Sequence, residues 1–298
     1  MANTISRTPA AQPHAFPGRD LRWPASIIWR DSDPAVRRIT TADVWKSLSE
    51  GYNDFLAMPT HLVFAGLIYP VIGIILARIL FGYGLLSLIY PMVAGLALLG
   101  PFLAVGLYEL SRKREEGLDI TPIRALDVVH RPGMGGIFTL GLMLAAIFVA
   151  WLYAANLMYT QIMGGEPASL SDFIHEVFWT GKGTELAIGG NLLGFMIALF
   201  VLVTSVVSFP MLVDRHVSIG TAVRTSVRAS IENPGPIALW GLIVAVGLLL
   251  GAIPLLVGLA IVLPILGHAT WHLYRKLVVA PEQAPMRDDS DEEIPAGL

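Results

Sequence analysis

Two stretches decide the fold: PMVAGLALLGPFLAVGLYELSRK at residues 91–113 and PLLVGLAIVLPILGHATWHLYRK at residues 254–276. Laid side by side without gaps, they share nine identities in 23 positions. Among these are Pro91/Pro254, Pro101/Pro264, Arg112/Arg275 and Lys113/Lys276. Apolar composition alone does not set two prolines ten apart twice, nor end both runs on Arg-Lys. The pair reads as an internal repeat, a recurring construction in membrane folds.

Each run belongs to a set of six apolar stretches, at residues 60–81, 85–110, 137–160, 187–210, 236–252 and 255–274. Each is close to the ~20 residues a helix needs to cross the hydrocarbon of a bilayer. The 298-residue composition agrees, with 54% apolar and 14% charged residues and a mean hydropathy of +0.64. Soluble domains carry about 25% charge. The runs are continuous rather than alternating, which excludes a β-barrel. Cysteine is absent, so disulfides, thiolate metal sites and Cys nucleophiles are excluded together. A net charge of −3 provides no basic field for nucleic acid, and none is expected as a partner.

The repeat unit extends upstream of each pair of stretches. Residues 41–58 form an amphipathic helix that Thr41 can cap, with Val44, Leu48, Tyr52 and Phe55 on one face. Ser218 caps a second, whose apolar face is Ile219, Val223, Val227 and Ile231. Thr121 and Pro122 open a shorter one that ends at Arg131-Pro132. Pro59, Pro132 and Pro234 then interrupt the chain before a hydrophobic pair begins. The expected fold is therefore an all-α membrane protein. Its six transmembrane helices form three parallel-repeat helical hairpins, at residues 41–113, 121–216 and 218–276, each preceded by an amphipathic interfacial helix. Residues 1–40 are expected to be a disordered or surface-draped arm, and 277–298 an acidic tail. A further helix is expected between the third and fourth stretches, starting at Ser169 or Ser171.

Lysine and arginine place the ends. Eighteen of the 20 fall in the segments that an even number of crossings puts on one side. The positive-inside rule predicts that this side is the cytoplasm, with both termini there, and no cleaved signal is expected. The basic amphipathic helices would then meet anionic lipids of the cytoplasmic leaflet.

Ionisable residues near the spans are the functional candidates. In the repeat register Glu109 aligns with His272, and Asp214 aligns with His268. Glu109, Asp214, His268 and His272 all lie toward the same ends of the second, fourth and sixth stretches. They are expected to converge as a binding cluster. His268 and His272 are spaced i, i+4, so both rings share a helix face, a spacing that also occurs in metal and haem sites. The intervening Ala-Thr-Trp lacks the carboxylate of the H-E-x-x-H pattern, so packing and hydrogen bonding are the expected roles and no metal or haem cofactor is expected. Asn156 and Asn191 are expected to pair across a hairpin. No P-loop, nucleophile elbow or dinucleotide fingerprint is present. The expected function is a non-catalytic scaffold or accessory subunit with a membrane-protein partner, such as a respiratory complex. The alternatives are a small-solute or lipid carrier with this polar cluster at its cytoplasmic mouth and, last, a haem or metal redox protein using His268 and His272.

The segments AVRRITTADVW at 35–45, GLIYP at 66–70, GPF at 100–102, LYELS at 107–111, SFP at 208–210 and LGHATWHLYR at 266–275 resemble a bacterial polytopic integral-membrane family of unknown function. Some of its members are labelled cytochrome c oxidase subunit I-like. The family implies a multi-pass fold and no activity. Haem–copper chemistry needs several histidines deep in different helices, whereas His130, His175 and His216 lie in loops or at their edges and His61 at the start of a stretch.

Overall fold

The computed structural model describes residues 34–58, 86–165, 169–254 and 257–279. All regular structure among these residues is helical; the one β-type contact is an isolated antiparallel bridge between Val36 and Val278. The helices are α1 (Thr41–Ala57), α2 (Ile89–Leu96), α3 (Gly100–Leu103), α4 (Val105–Glu115), α5 (Met134–Met163), α6 (Leu170–Trp179), α7 (Gly181–Ser205), α8 (Ser208–Asp214), α9 (Ile219–Glu232), α10 (Pro234–Ala252) and α11 (Leu259–Leu277). A 3-10 helix, Pro122–His130, precedes α5.

Among the described residues, four stretches are long and apolar enough to cross a membrane: Tyr90–Glu115, Met134–Met163, Gly181–Asp214 and Pro234–Ala252. These match the second to fifth sequence stretches. The first, at 60–81, with Arg78 and Pro70, lies outside the described residues. The sixth forms α11, a 19-residue helix whose second half carries His268, Thr270, His272, Arg275 and Lys276. That polar half keeps it out of the apolar set.

Proline shapes these segments because it lacks an N–H and its ring crowds the carbonyl four residues back. Around Pro101 the second stretch becomes a 3-10 turn (Ala97–Leu99), α3 and α4. Ahead of Pro210, the helix breaks at residues 206–207 between α7 and α8. The equivalent Pro264 sits inside α11 without a break.

The short helices dock on the ends of the spans in a cyclic order. α1 packs on α11, the 3-10 helix packs on α4, and α9 packs on α8. Thus the first short helix rests on the last long one. The α1–α11 contact is the most extensive among the described helices. Its centre is Gly51, where a Cβ would overlap the backbone of Ala269. The 3-10 helix crosses α4 at Gly106, whose Cβ would come within 3.1 Å of Ala125. Gly106 and Ala269 occupy the same position in the aligned stretches. Lys113 and Lys276, also equivalent, each pair with a carboxylate of the docked helix, Asp127 and Glu50 respectively.

Two expectations are corrected here. Thr40, not Thr41, caps α1, and it does so reciprocally with Asp43. The face of α1 that packs inward is Val44, Ser47, Gly51 and Asp54, while Leu48 and Phe55 are half-buried and Tyr52 is exposed. α9 behaves alike: Ala222, Thr225, Ser226, Ala229 and Ser230 are buried, while Val223 and Val227 are half-buried and Ile231 is exposed. Small side chains let backbones approach closely, so they win the protein contact and the bulky apolar rows turn outward. Ser218 caps α9, and Ser169 caps α6, as expected.

The ends of the described chain meet. Arg37 donates its N–H to the Leu277 carbonyl at 2.7 Å, and Val279 donates to Ala35 at 3.0 Å. Buried Asn233 braces this strap, accepting from Ile39 N–H at 2.7 Å and donating to the Arg37 carbonyl at 3.1 Å. The tightest core lies at this end of the helices, around Tyr108, Phe209, Trp271 and Tyr274. Away from it, long helices present exposed apolar rows such as Phe138, Leu142, Val149 and Tyr153. Such rows suit contact with lipid.

Candidate functional site

The ends of α4, α8 and α11 converge, with α1 laid across α11. Between α1, α4 and α11 opens a cleft of about 430 Å³ lined by Glu50, Asp54, Ser111, Arg114, Glu115, His272, Arg275 and Lys276. Glu50 and Asp54 stand i, i+4 on α1 and face His268 and His272, spaced i, i+4 on α11.

Asp54 is the hub. Its Oδ2 accepts Ser111 Oγ at 2.5 Å and meets His272 Nε2 at 2.9 Å, and its Oδ1 accepts Arg114 at 2.6 Å. Burial pushes this carboxyl up, but hydrogen bonds from His272 and Ser111 outweigh it, and the acid sits below the ordinary aspartate range. Ser111 Oγ also meets Nδ1 of the fully buried His268 at 2.8 Å. Glu50 takes Lys276 and has His272 Nδ1 at 3.7 Å. Glu115 accepts Arg275 at 2.8 Å and Trp271 Nε1 at 3.1 Å.

The four residues singled out from sequence do not form one cluster. His268 and His272 meet at Asp54 and Ser111. Glu109 lies buried against Arg112, at 2.7 and 2.9 Å, and Arg131, at 3.2 Å. Asp214 accepts Tyr274 Oη at 2.5 Å and Arg215 Nε at 3.2 Å. It adjoins the cleft through Arg275, at 3.5 Å. Each carboxylate is thus claimed by an arginine close to it, which sequence register alone does not reveal. Sequence reading missed Asp54 and Ser111. The available signal was a second i, i+4 acidic pair, Glu50 and Asp54, on an amphipathic helix. Asn191 bonds to Tyr90 Oη at 2.7 Å and to the Ala187 carbonyl, not to Asn156.

Among the described residues no group of three or more His, Asp or Glu is arranged to hold a metal ion. The charges of the cleft are instead matched against one another.

Residues 89–214 match the model of a family described as a predicted integral membrane protein (DUF2189). The chain is an integral membrane protein with several candidate spans. The matched region runs from α2 to α8 and contains Glu109, Ser111 and Asp214. α1 and α11, which carry Asp54, His268 and His272, lie outside it. The family's function is not known. No curated protein and no solved structure matches the chain.

Proposed function

We propose that this chain is a six-span protein of the bacterial inner membrane that works as a non-catalytic scaffold or accessory subunit, such as one attached to a respiratory complex. One observation carries the reading: every residue lining the cleft is engaged by another side chain of the same molecule. A site whose charges are already paired fixes the relative positions of α1, α4 and α11. Affinity capture after gentle solubilisation tests this, and a stoichiometric membrane partner is expected. Recovery as a free monomer would overturn it.

In this reading three hairpins stand in a ring about an axis along the membrane normal. The cyclic docking of short helices, the equivalent crossings at Gly106 and Ala269, and the equivalent lysines favour it. The distribution of basic residues favours cytoplasmic termini. The docked helices then lie in the inner leaflet, with Trp45, Tyr52 and Leu56 of α1 and Ile123, Leu126 and Val129 of the 3-10 helix facing acyl chains and nearby basic groups facing anionic headgroups. Reporter fusions after residues 58, 120, 217 and 279 should all read cytoplasmic.

A second reading, a carrier for a small solute or lipid, is favoured by the size and polarity of the cleft. Its test is solute-dependent stabilisation of the purified protein.

A further inference from the structure

α6 sits where three spans end. It packs on α7 and on the 3-10 turn Leu86–Leu88 that opens the second stretch. Tyr159, near the end of α5, meets the Phe173 ring at 6.1 Å and donates its hydroxyl to Glu176 at 3.5 Å. Phe173, Glu176 and Val177 are half-buried on this side. On the other side Ile174, Phe178 and Trp179 are 41%, 71% and 70% exposed. The Trp179 ring stacks on His175 at 6.2 Å and meets Phe178 edge-on at 6.0 Å. Thr180 alone separates α6 from α7 and caps α7 by accepting from Gly183 N–H at 3.0 Å, which ties the aromatic cluster to a span. Ile174 and Phe178, one turn apart, share a flank, and Asp172 lies about 200° round the helix from Ile174.

The length of α5 gives the depth of this face. Its 30 residues measure about 45 Å, against roughly 40–45 Å for a bilayer with both headgroup layers. The 3-10 helix Pro122–His130 precedes α5 and α6 follows it. With the first in the cytoplasmic leaflet, the second falls among the headgroups of the opposite leaflet; this depth rests on the inner-leaflet placement proposed above. Charge then selects the lipid. Residues 164–185 hold Glu166, Asp172, Glu176 and Glu185 against Lys182 alone. An acidic helix is repelled by anionic headgroups and is held at a membrane by its apolar face. We propose that α6 is an anchor for a leaflet of zwitterionic lipid. Ile174 and Phe178 enter the acyl boundary, Trp179 lies at headgroup level, where indole is favoured, and Asp172 faces water. The opposed helices thus differ in lipid chemistry, anionic at the cytoplasmic face and zwitterionic at the other.

The test uses the full chain in lipid nanodiscs. Cysteine is absent, so Phe178→Cys takes a single bimane fluorophore. Lipid brominated on its acyl chains should quench that fluorophore, and aqueous iodide should not. In equal mixtures of phosphatidylcholine and phosphatidylglycerol, brominating the zwitterionic lipid should remove more of the signal than brominating the anionic one. Bimane on Leu126→Cys, in the 3-10 helix before α5, should show the reverse order. If Phe178→Cys does not fold, Ile174→Cys must give the same readings. Quenching by iodide at position 178 overturns the proposal. So does shielding from both quenchers, the mark of a protein contact such as a second copy, and so does equal quenching by the two brominated lipids. Iodide quenching at position 126, with bromolipid quenching at 178, removes the inner-leaflet placement and leaves the anchor standing.

Discussion

Asp54 holds a proton less readily than a free aspartate because Ser111, His272 and Arg114 all address its charged form. A carboxyl depressed in the folded state adds stability that is complete above the unfolded value and is lost as pH falls through the folded one. The molecule should therefore lose stability progressively below about pH 4. In Asp54→Asn that acid limb should flatten, and at neutral pH the variant should be less stable by about 1–3 kcal/mol, since Ser111, His272 and Arg114 lose a charged acceptor. Denaturation in detergent across pH, followed by tryptophan fluorescence, measures both. Sequence alone exposed part of this site. His268 and His272 stood out because imidazoles in an apolar run are conspicuous. Asp54 did not, since an acid on an amphipathic helix is ordinarily solvated, and its burial depends on a partner helix 214 or more positions away.

At the scale of helices, the docking of α1 depends on what Gly51 lacks. Gly51→Val should push α1 off α11 and cost about 1–3 kcal/mol, visible as rapid proteolysis near residues 40–58. Gly106→Val should likewise loosen the 3-10 helix on α4, whereas Gly106→Ala needs only a few tenths of an ångström of yielding from Ala125. The ion pair of Lys276 with Glu50 should tolerate exchange: Lys276→Glu alone weakens docking, and Glu50→Lys added to it restores the melting temperature. The caps at Ser169 and Ser218 and the proline breaks were legible in sequence, whereas α1 is capped by Thr40 rather than Thr41 and Thr121 makes no capping bond. The inward faces of these short helices were not legible. A bulky apolar row predicts burial when water is the alternative, but beside lipid the small residues take the protein contact. Val44, Leu48, Tyr52 and Phe55 were therefore a sound stripe given the wrong neighbour.

At the scale of the whole molecule, the repeat at 91–113 and 254–276 announced related helices, but not which short helix sits on which. The closure of α1 onto α11 came from packing alone. Cysteine is absent, so paired cysteines at Val36 and Val278 offer a clean test of that closure. The bonds from Arg37 to Leu277 and from Val279 to Ala35 flank this pair, making it the non-hydrogen-bonded kind, whose Cα atoms stand about 4.5 Å apart and within disulfide reach. Oxidised Val36→Cys/Val278→Cys should run as a more compact species on a denaturing gel. The closure also sets an order on biosynthesis. A ribosome finishes the first short helix roughly 10–40 s before it makes the segment that receives it, at 5–20 residues per second. Through that interval Asp54 and its seam lack the partners that bury them, and truncation before α11 leaves them so for good, a mark by which an unfinished copy differs from a finished one.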